Sequence, residues 1–310
     1  MVASAERPDD PRESDQEPAG LYLDYGYGSH VGLRRELNED SSVITDTLFA
    51  VADGMGGHEA GEVASALAVQ TLADGWNRAE GRISRDQIQT FLGEADQRIR
   101  EATDSKAGTT VSGALLEDHE DGLSWVVFNI GDSRTYLFEQ GELRQLTRDH
   151  SQVQDMFDSG LITAEELHSH PQRNVITRAL GAGDMWDADF TTSAVRAGQR
   201  LMICSDGLSG ELTDPEIARI LGAGRNAQDT VDWLIHQSLR AGGRDNVTVV
   251  VVDVQQQGDQ QPGDQPTDTA QQGTQHQDTA QQDAAHQDTA QQDAAHQETA
   301  QQDASPHSEV

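Results

Sequence analysis

The chain of 310 residues sets 54 Asp and Glu against 21 Lys and Arg, a formal net charge of −33. That balance argues against nucleic-acid and anionic-membrane partners, which need a basic face. The single cysteine, Cys204, excludes an intrachain disulfide, and no apolar run reaches the ~20 residues of a membrane span.

Residues 1–20 are polar and acidic and are expected to be disordered. Strand-like text follows in LYLDYGYGSHVG, and SSVITDTLFAVAD predicts two strands about a turn at Asp46-Thr47. The period then changes. Val63, Leu67, Leu72 and Trp76 recur at helical spacing over 59–78, and Ile88, Leu92, Ala95 and Ile99 share one face of a second helix. The short join at 80–85 predicts antiparallel packing of the two helices on a sheet. TTVSGALLED and LSWVVFNIGDSRTYLF read as neighbouring strands joined at EDHEDG, with a further hairpin at 138–143. Residues 149–181 are mixed and polar with one short helix over 164–167, and so long a connection is expected to serve function. RLMICSDGL is a buried strand, DPEIARILG and AQDTVDWLIHQSLRAG are helices, and NVTVVVVDV closes the domain. Sheets covered by helix pairs make an α+β sandwich.

From Gln255 the sequence repeats with a ten-residue period, placing His276, His286 and His296 in register. Lacking aromatic and branched aliphatic residues, it cannot offset its ordering entropy. The expected organisation is therefore a disordered 1–20, a folded domain over 21–254 and a disordered tail over 255–310. The tail does not account for all the acidity, because residues 21–254 alone hold 38 acids against 19 bases. Such a surface suits solubility in strong salt, where repulsion is screened. The opening residues lack the basic-then-apolar pattern of a signal peptide, so a cytoplasmic location is expected.

Four strand ends carry an aspartate with a glycine within two residues: Asp53 after LFAVA, Asp132 after VVFNIG, Asp206 after LMICS, and Asp245 just ahead of NVTVVVV. A single Asp-Gly is usually only a turn. Four such carboxylates gathered at one sheet edge would repel one another strongly unless cations intervened. Oxygen-only ligands arriving from separate segments suit hard divalent ions, Mg²⁺ or Mn²⁺, in a two-metal site.

The segments RRELNED (34–40), VADGMGGHEAGEVAS (51–65), AGTTVSGALL (107–116), NIGDSRTYL (129–137), LTRDHSQV (146–153), RNVITRALG (173–181), MICSDGLS (202–209) and GGRDNVTVVVV (242–252) together resemble the metal-dependent type 2C Ser/Thr protein phosphatases, particularly compact bacterial members. The resemblance implies a central antiparallel β-sandwich flanked by helix pairs, with a binuclear centre of Mn²⁺ or Mg²⁺ at one end. It implies that Asp53 bridges both ions, that the Gly54 carbonyl ligates one, and that Asp206 and Asp245 complete the other. Glu39 and Asp40 match acids that hold metal-bound waters, and Asp132 matches a ligand of a third, weaker ion. Arg35, five residues before Asp40, matches the arginine that grips the substrate phosphate; the spacing favours it over Arg34.

The chemistry so implied is in-line attack on phosphorus by a water bridging the ions, without a covalent phospho-enzyme. Met55 replaces the histidine that many eukaryotic relatives carry after Asp-Gly, and His58 is read as a helix-start residue rather than the general acid. His168 and His170, in the long connection, are read as surface histidines. The expected partners are Ser/Thr-phosphorylated proteins and a cognate Ser/Thr kinase, and the expected state is a monomer. An enzyme for small phosphate esters and an inactive fold-mate used for binding are the alternatives.

Overall fold

The computed structural model describes residues 20–256 except 57–59, 81, 120–121, 168–169 and 184. Both terminal segments, together with His58 and His168, lie outside the described residues. Sheet 1 has the order β1 (Leu21–His30), β11 (Val247–Gln256), β10 (Arg200–Cys204), β7 (Arg134–Glu139), β8 (Glu142–Gln145). Sheet 2 has the order β2 (Asp40–Ile44), β3 (Leu48–Gly56), β5 (Val111–His119), β6 (Gly122–Ile130), β9 (Asp189–Ala194), with short β4 (Ala107–Thr109) paired to β3. Every named pairing is antiparallel.

Alternation along these strands makes three apolar layers. Phe49, Val51, Trp125, Leu201, Ile203, Val250 and Val252 fill the space between the sheets. Leu72, Ile88, Leu92, Ile99 and Phe128 join sheet 2 to α1 (Ala60–Arg78) and α2 (Arg85–Thr103). Met202, Ile217, Val231, Leu234 and Val249 join sheet 1 to α6 (Asp214–Leu221) and α7 (Ala227–Ala241). The expected four layers are therefore present. Alternate residues of β10 and β11 face opposite cores, which explains why both strands read as unbroken apolar runs.

Some local expectations need correction. The buried face of α1 runs through Gly61, Ala64, Ala68, Leu72 and Gly75, whereas Val63 is 42% exposed. Small residues beside Leu72 let α1 lie close to β3, while Val63, Leu67 and Trp76 mark its flank. β11 continues to Gln256, two residues beyond the compositional boundary, because β1 pairs with it as far as Leu21. The stretch 149–181 holds α3 (Gln152–Asp158) as well as the expected α4 (Ala164–Leu167), and β9 follows it. One further turn of helix, α5 (Asp206–Ser209), begins directly at an acid of the candidate site.

Candidate metal centre

The acids converge through sheet geometry. Antiparallel pairing of β2 and β3 sets Asp40 opposite Asp53, and Gly54 N–H donates to the Glu39 carbonyl at 3.1 Å. Across the sandwich, β10 ends at Cys204, Ser205 follows as the cap of the next turn, and Asp206 opens α5. Asp245 precedes β11, the antiparallel neighbour of β10, so it returns to the same end as Asp206. Asp132 follows Gly131, whose φ of +101° lets β6 turn sharply toward β7.

A second set of polar residues fixes these segments. Asn246 accepts from Glu39 N–H at 2.9 Å and donates to the carbonyls of Val31 (3.0 Å) and Leu37 (2.8 Å). One side chain thus pins the 31–39 loop, with its Arg35 and Glu39, to the start of β11. Ser205 Oγ donates to Asp40 Oδ2 at 2.8 Å and accepts from Thr248 N–H at 2.9 Å. Half-buried Arg134 grips Asp149 with both Nε and Nη2, while His150 accepts from Gly131 N–H and lies 3.0 Å from Asp189. Sequence alone gives no role to Asn246, Ser205, Arg134 or Asp149. The first three stand within two residues of candidate acids in GRDN, CSD and GDSR, whereas Asp149, in RDH, adjoins none of them.

Electrostatics show how crowded the acids are. Burial, then repulsion from Asp40, Asp206, Asp132 and Asp245, pushes the Asp53 carboxyl well above the usual range. Burial followed by Asp206 and Asp149 does the same to Asp132, and burial followed by Asp245 raises Asp206. Asp40 is raised to about 7, chiefly by burial, against the hydrogen bonds from Thr248 and Ser205. Asp40 Oδ1, Asp132 Oδ1 and Asp206 Oδ1 are buried without a hydrogen-bond partner. Unpartnered buried carboxylate oxygens are costly, and hard cations are what such oxygens accept. The donor set therefore fits divalent ions. Among the described residues, no three His, Cys, Asp or Glu side chains close around one point by themselves. An open set of this kind suits ions that retain several waters and take a backbone carbonyl such as that of Gly54.

Arg35 supplies a cation at this end. Its Nη2 donates to Asp245 Oδ2 at 2.7 Å, with the arginine side chain half exposed. That bond, with the fields of Asp245, Glu39 and Asp53, raises its pKa further, so it stays charged. Asp132 and Asp206 also form one wall of a cavity of about 300 Å³, whose other wall comes from Gln154, Leu167, Arg173 and Asn174 of the long connection. Each candidate acid thus lies at one end of the sandwich, and Arg35 beside them. His170 stands apart, in contact with Gln172 N–H.

A protein-family model described as protein phosphatase 2C matches residues 36–241. The Ser/Thr protein phosphatase PstP of Mycobacterium tuberculosis is 41% identical over 239 residues, covering 76% of this chain and 45% of PstP. The chain therefore spans less than half the length of that relative. Listeria monocytogenes Ser/Thr phosphatase stp is 34% identical over 236 residues, covering 72% of this chain and 92% of stp. A crystal structure of the PstP catalytic domain in complex with two manganese ions has a TM-score of 0.66 and 37% identity, covering 76% of this chain and 100% of that one. Its layers of sheet and helix agree with those found here. The chain belongs to the protein phosphatase 2C family.

Proposed function

We propose that this chain is a divalent-metal-dependent protein phosphatase that hydrolyses phosphoserine and phosphothreonine in other proteins. One observation carries the reading: four aspartates from four separate segments crowd one end of the sandwich, with oxygens left unpartnered and a guanidinium beside them. Asp53, the Gly54 carbonyl, Asp206 and Asp245 would hold two ions, Mn²⁺ or Mg²⁺, with Asp132 at a third and weaker site. Glu39 and Asp40 would hold waters of those ions.

When bound, the ions supply Lewis-acid charge that lowers the pKa of water and neutralises phosphoryl oxygens. The protein does the rest. Arg35 uses one donor on Asp245, leaving others for a phosphate, whose equatorial oxygens a guanidinium fork matches. Ser205 and Asn246 keep Asp40 and the 31–39 loop in place, so the carboxylates need not reorganise. Cys204 is not a nucleophile: burial pushes its thiol up to about 12. Among the described residues, no helix is long and apolar enough to cross a membrane. A cytoplasmic monomer acting against a Ser/Thr kinase is the setting this reading implies.

The test is hydrolysis of a phosphothreonine peptide by chelated protein. We expect no turnover until Mn²⁺ or Mg²⁺ is restored, and losses of several orders of magnitude in kcat for Asp53→Asn and Asp245→Asn. Full activity after prolonged dialysis against chelator would remove the metal mechanism.

A further inference from the structure

Thr110 lies between β4 and β5 and is 1% exposed, yet it touches both acid-bearing turns. Its N–H donates to the Asp53 carbonyl at 2.9 Å, and its Oγ1 accepts from Asp53 N–H at 3.1 Å. The same Oγ1 lies 2.8 Å from Ser133 Oγ, on the residue after Asp132. Its methyl packs on the Gly131 turn: a Cβ placed on Gly131 would fall 2.5 Å from Thr110 Cγ2.

A threonine hydroxyl has one proton. With Asp53 N–H donating to Thr110 Oγ1, that proton is free to go to Ser133, and whichever hydroxyl donates, the pair makes a relay from one turn to the other. The next hydroxyl pair in the same direction, Ser112 with Thr135 at 2.9 Å, lies deeper between the sheets and reaches neither turn. We infer that Thr110 is a positioning residue that sets Asp53 and Asp132 at a fixed separation, linking the two-ion centre to the third ion through Ser133. This rests on the assignment of Asp53 and Asp132 as metal ligands made above.

Residues that hold metal ligands typically contribute about ten- to a hundredfold in metal affinity when removed. Val has the shape of Thr without the hydroxyl, whereas Ser keeps the hydroxyl and loses the methyl. The experiment counts bound Mn²⁺ by electron paramagnetic resonance in the full chain, comparing Thr110→Val, Thr110→Ser, Ser133→Ala and Asp132→Asn. Asp132→Asn identifies the weak binding step by abolishing it.

We expect Thr110→Val to weaken both the tight steps and that weak step by tenfold or more. Ser133→Ala should weaken the weak step alone, and Thr110→Ser should stay within about threefold of the parent. If Asp132→Asn abolishes a step that both Thr110→Val and Ser133→Ala leave within twofold, the relay is overturned while the ligand assignment stands. If Asp132→Asn abolishes no step, the ligand assignment itself fails and the relay with it. Should Thr110→Val not fold, as judged by its near-ultraviolet circular dichroism, Ser133→Ala decides the matter from the other end.

Discussion

Arg35 shows how far a single residue can be assigned from spacing and where structure takes over. Its distance from Asp40 in RRELNED distinguishes it from Arg34, and the structure turns it onto Asp245. A charge-assisted hydrogen bond contributes about 1.5–3 kcal/mol. Arg35→Ala should therefore lower kcat/KM for a phosphothreonine peptide by roughly ten- to a hundredfold, and Arg34→Ala should change it less than about threefold. Equal losses in the two variants would mean that overall charge, not a grip on phosphate, is at work. His58 lies outside the described residues, and its role rests on sequence. His58→Ala is expected to slow a phosphoserine peptide and an aryl phosphate by similar, modest factors. A hundredfold loss confined to the peptide would make it the general acid. Asp53, Asp132, Asp206 and Asp245 are legible because each stands at one end of an apolar run with a glycine within two residues. Asn246, Ser205 and Thr110 were not, because their meaning lies in partners far along the chain, such as Val31 and Leu37 for Asn246.

At the scale of elements, the two Asp-Gly ends are tight for a reason that can be tested. A Cβ on Gly54 would meet the Gly61 carbonyl oxygen at 2.1 Å, and one on Gly207 would meet the Asn246 carbonyl oxygen at 1.9 Å. Both clashes are with backbone, so neither is relieved by a rotamer change. Gly54→Ala and Gly207→Ala should each cost at least ~1–3 kcal/mol by denaturant unfolding, and each should weaken Mn²⁺ binding. Stability within ~0.5 kcal/mol of the parent would show that these turns have slack. Long helices are readable from their period because one face of each is buried, and β10 and β11 from unbroken apolar runs because both faces are. β9 was missed because DFTTSA is a largely exposed edge strand, and α3 because it buries only Val153 and so leaves no apolar stripe. In α1, Leu72 and the alanines of the same stripe are buried as the period predicts, whereas Val63 is exposed.

For the whole molecule, the crowded acids tie stability to pH and to metal. Asp40, Asp53, Asp132 and Asp206 all have raised pKa values in the folded chain. The folded state therefore keeps protons that the unfolded chain releases from about pH 4 upward. In chelator, the contribution of these groups to stability should fall as pH rises from about 4 toward the value of about 7 reached by Asp40. Divalent ions favour the ionised carboxylates, so the rise in Tm on adding Mn²⁺ should be larger at pH 7.5 than at pH 5. An equal or smaller rise at pH 7.5 would separate these acids from metal binding. The tail should matter little to either property, given its composition. A chain ending at Gln256 should keep its Tm and its peptide kcat/KM, whereas a tenfold loss, ~1.4 kcal/mol, would mean that the tail docks on the domain.

Where the ions sit is measured directly by anomalous scattering from crystals grown with Mn²⁺. Two strong peaks are expected, both within coordination distance of Asp53, one also reached by the Gly54 carbonyl and the other by Asp206 and Asp245, with a weaker third peak at Asp132. Peaks elsewhere on the molecule, or none among these four aspartates at saturating Mn²⁺, would contradict this placement of the ions.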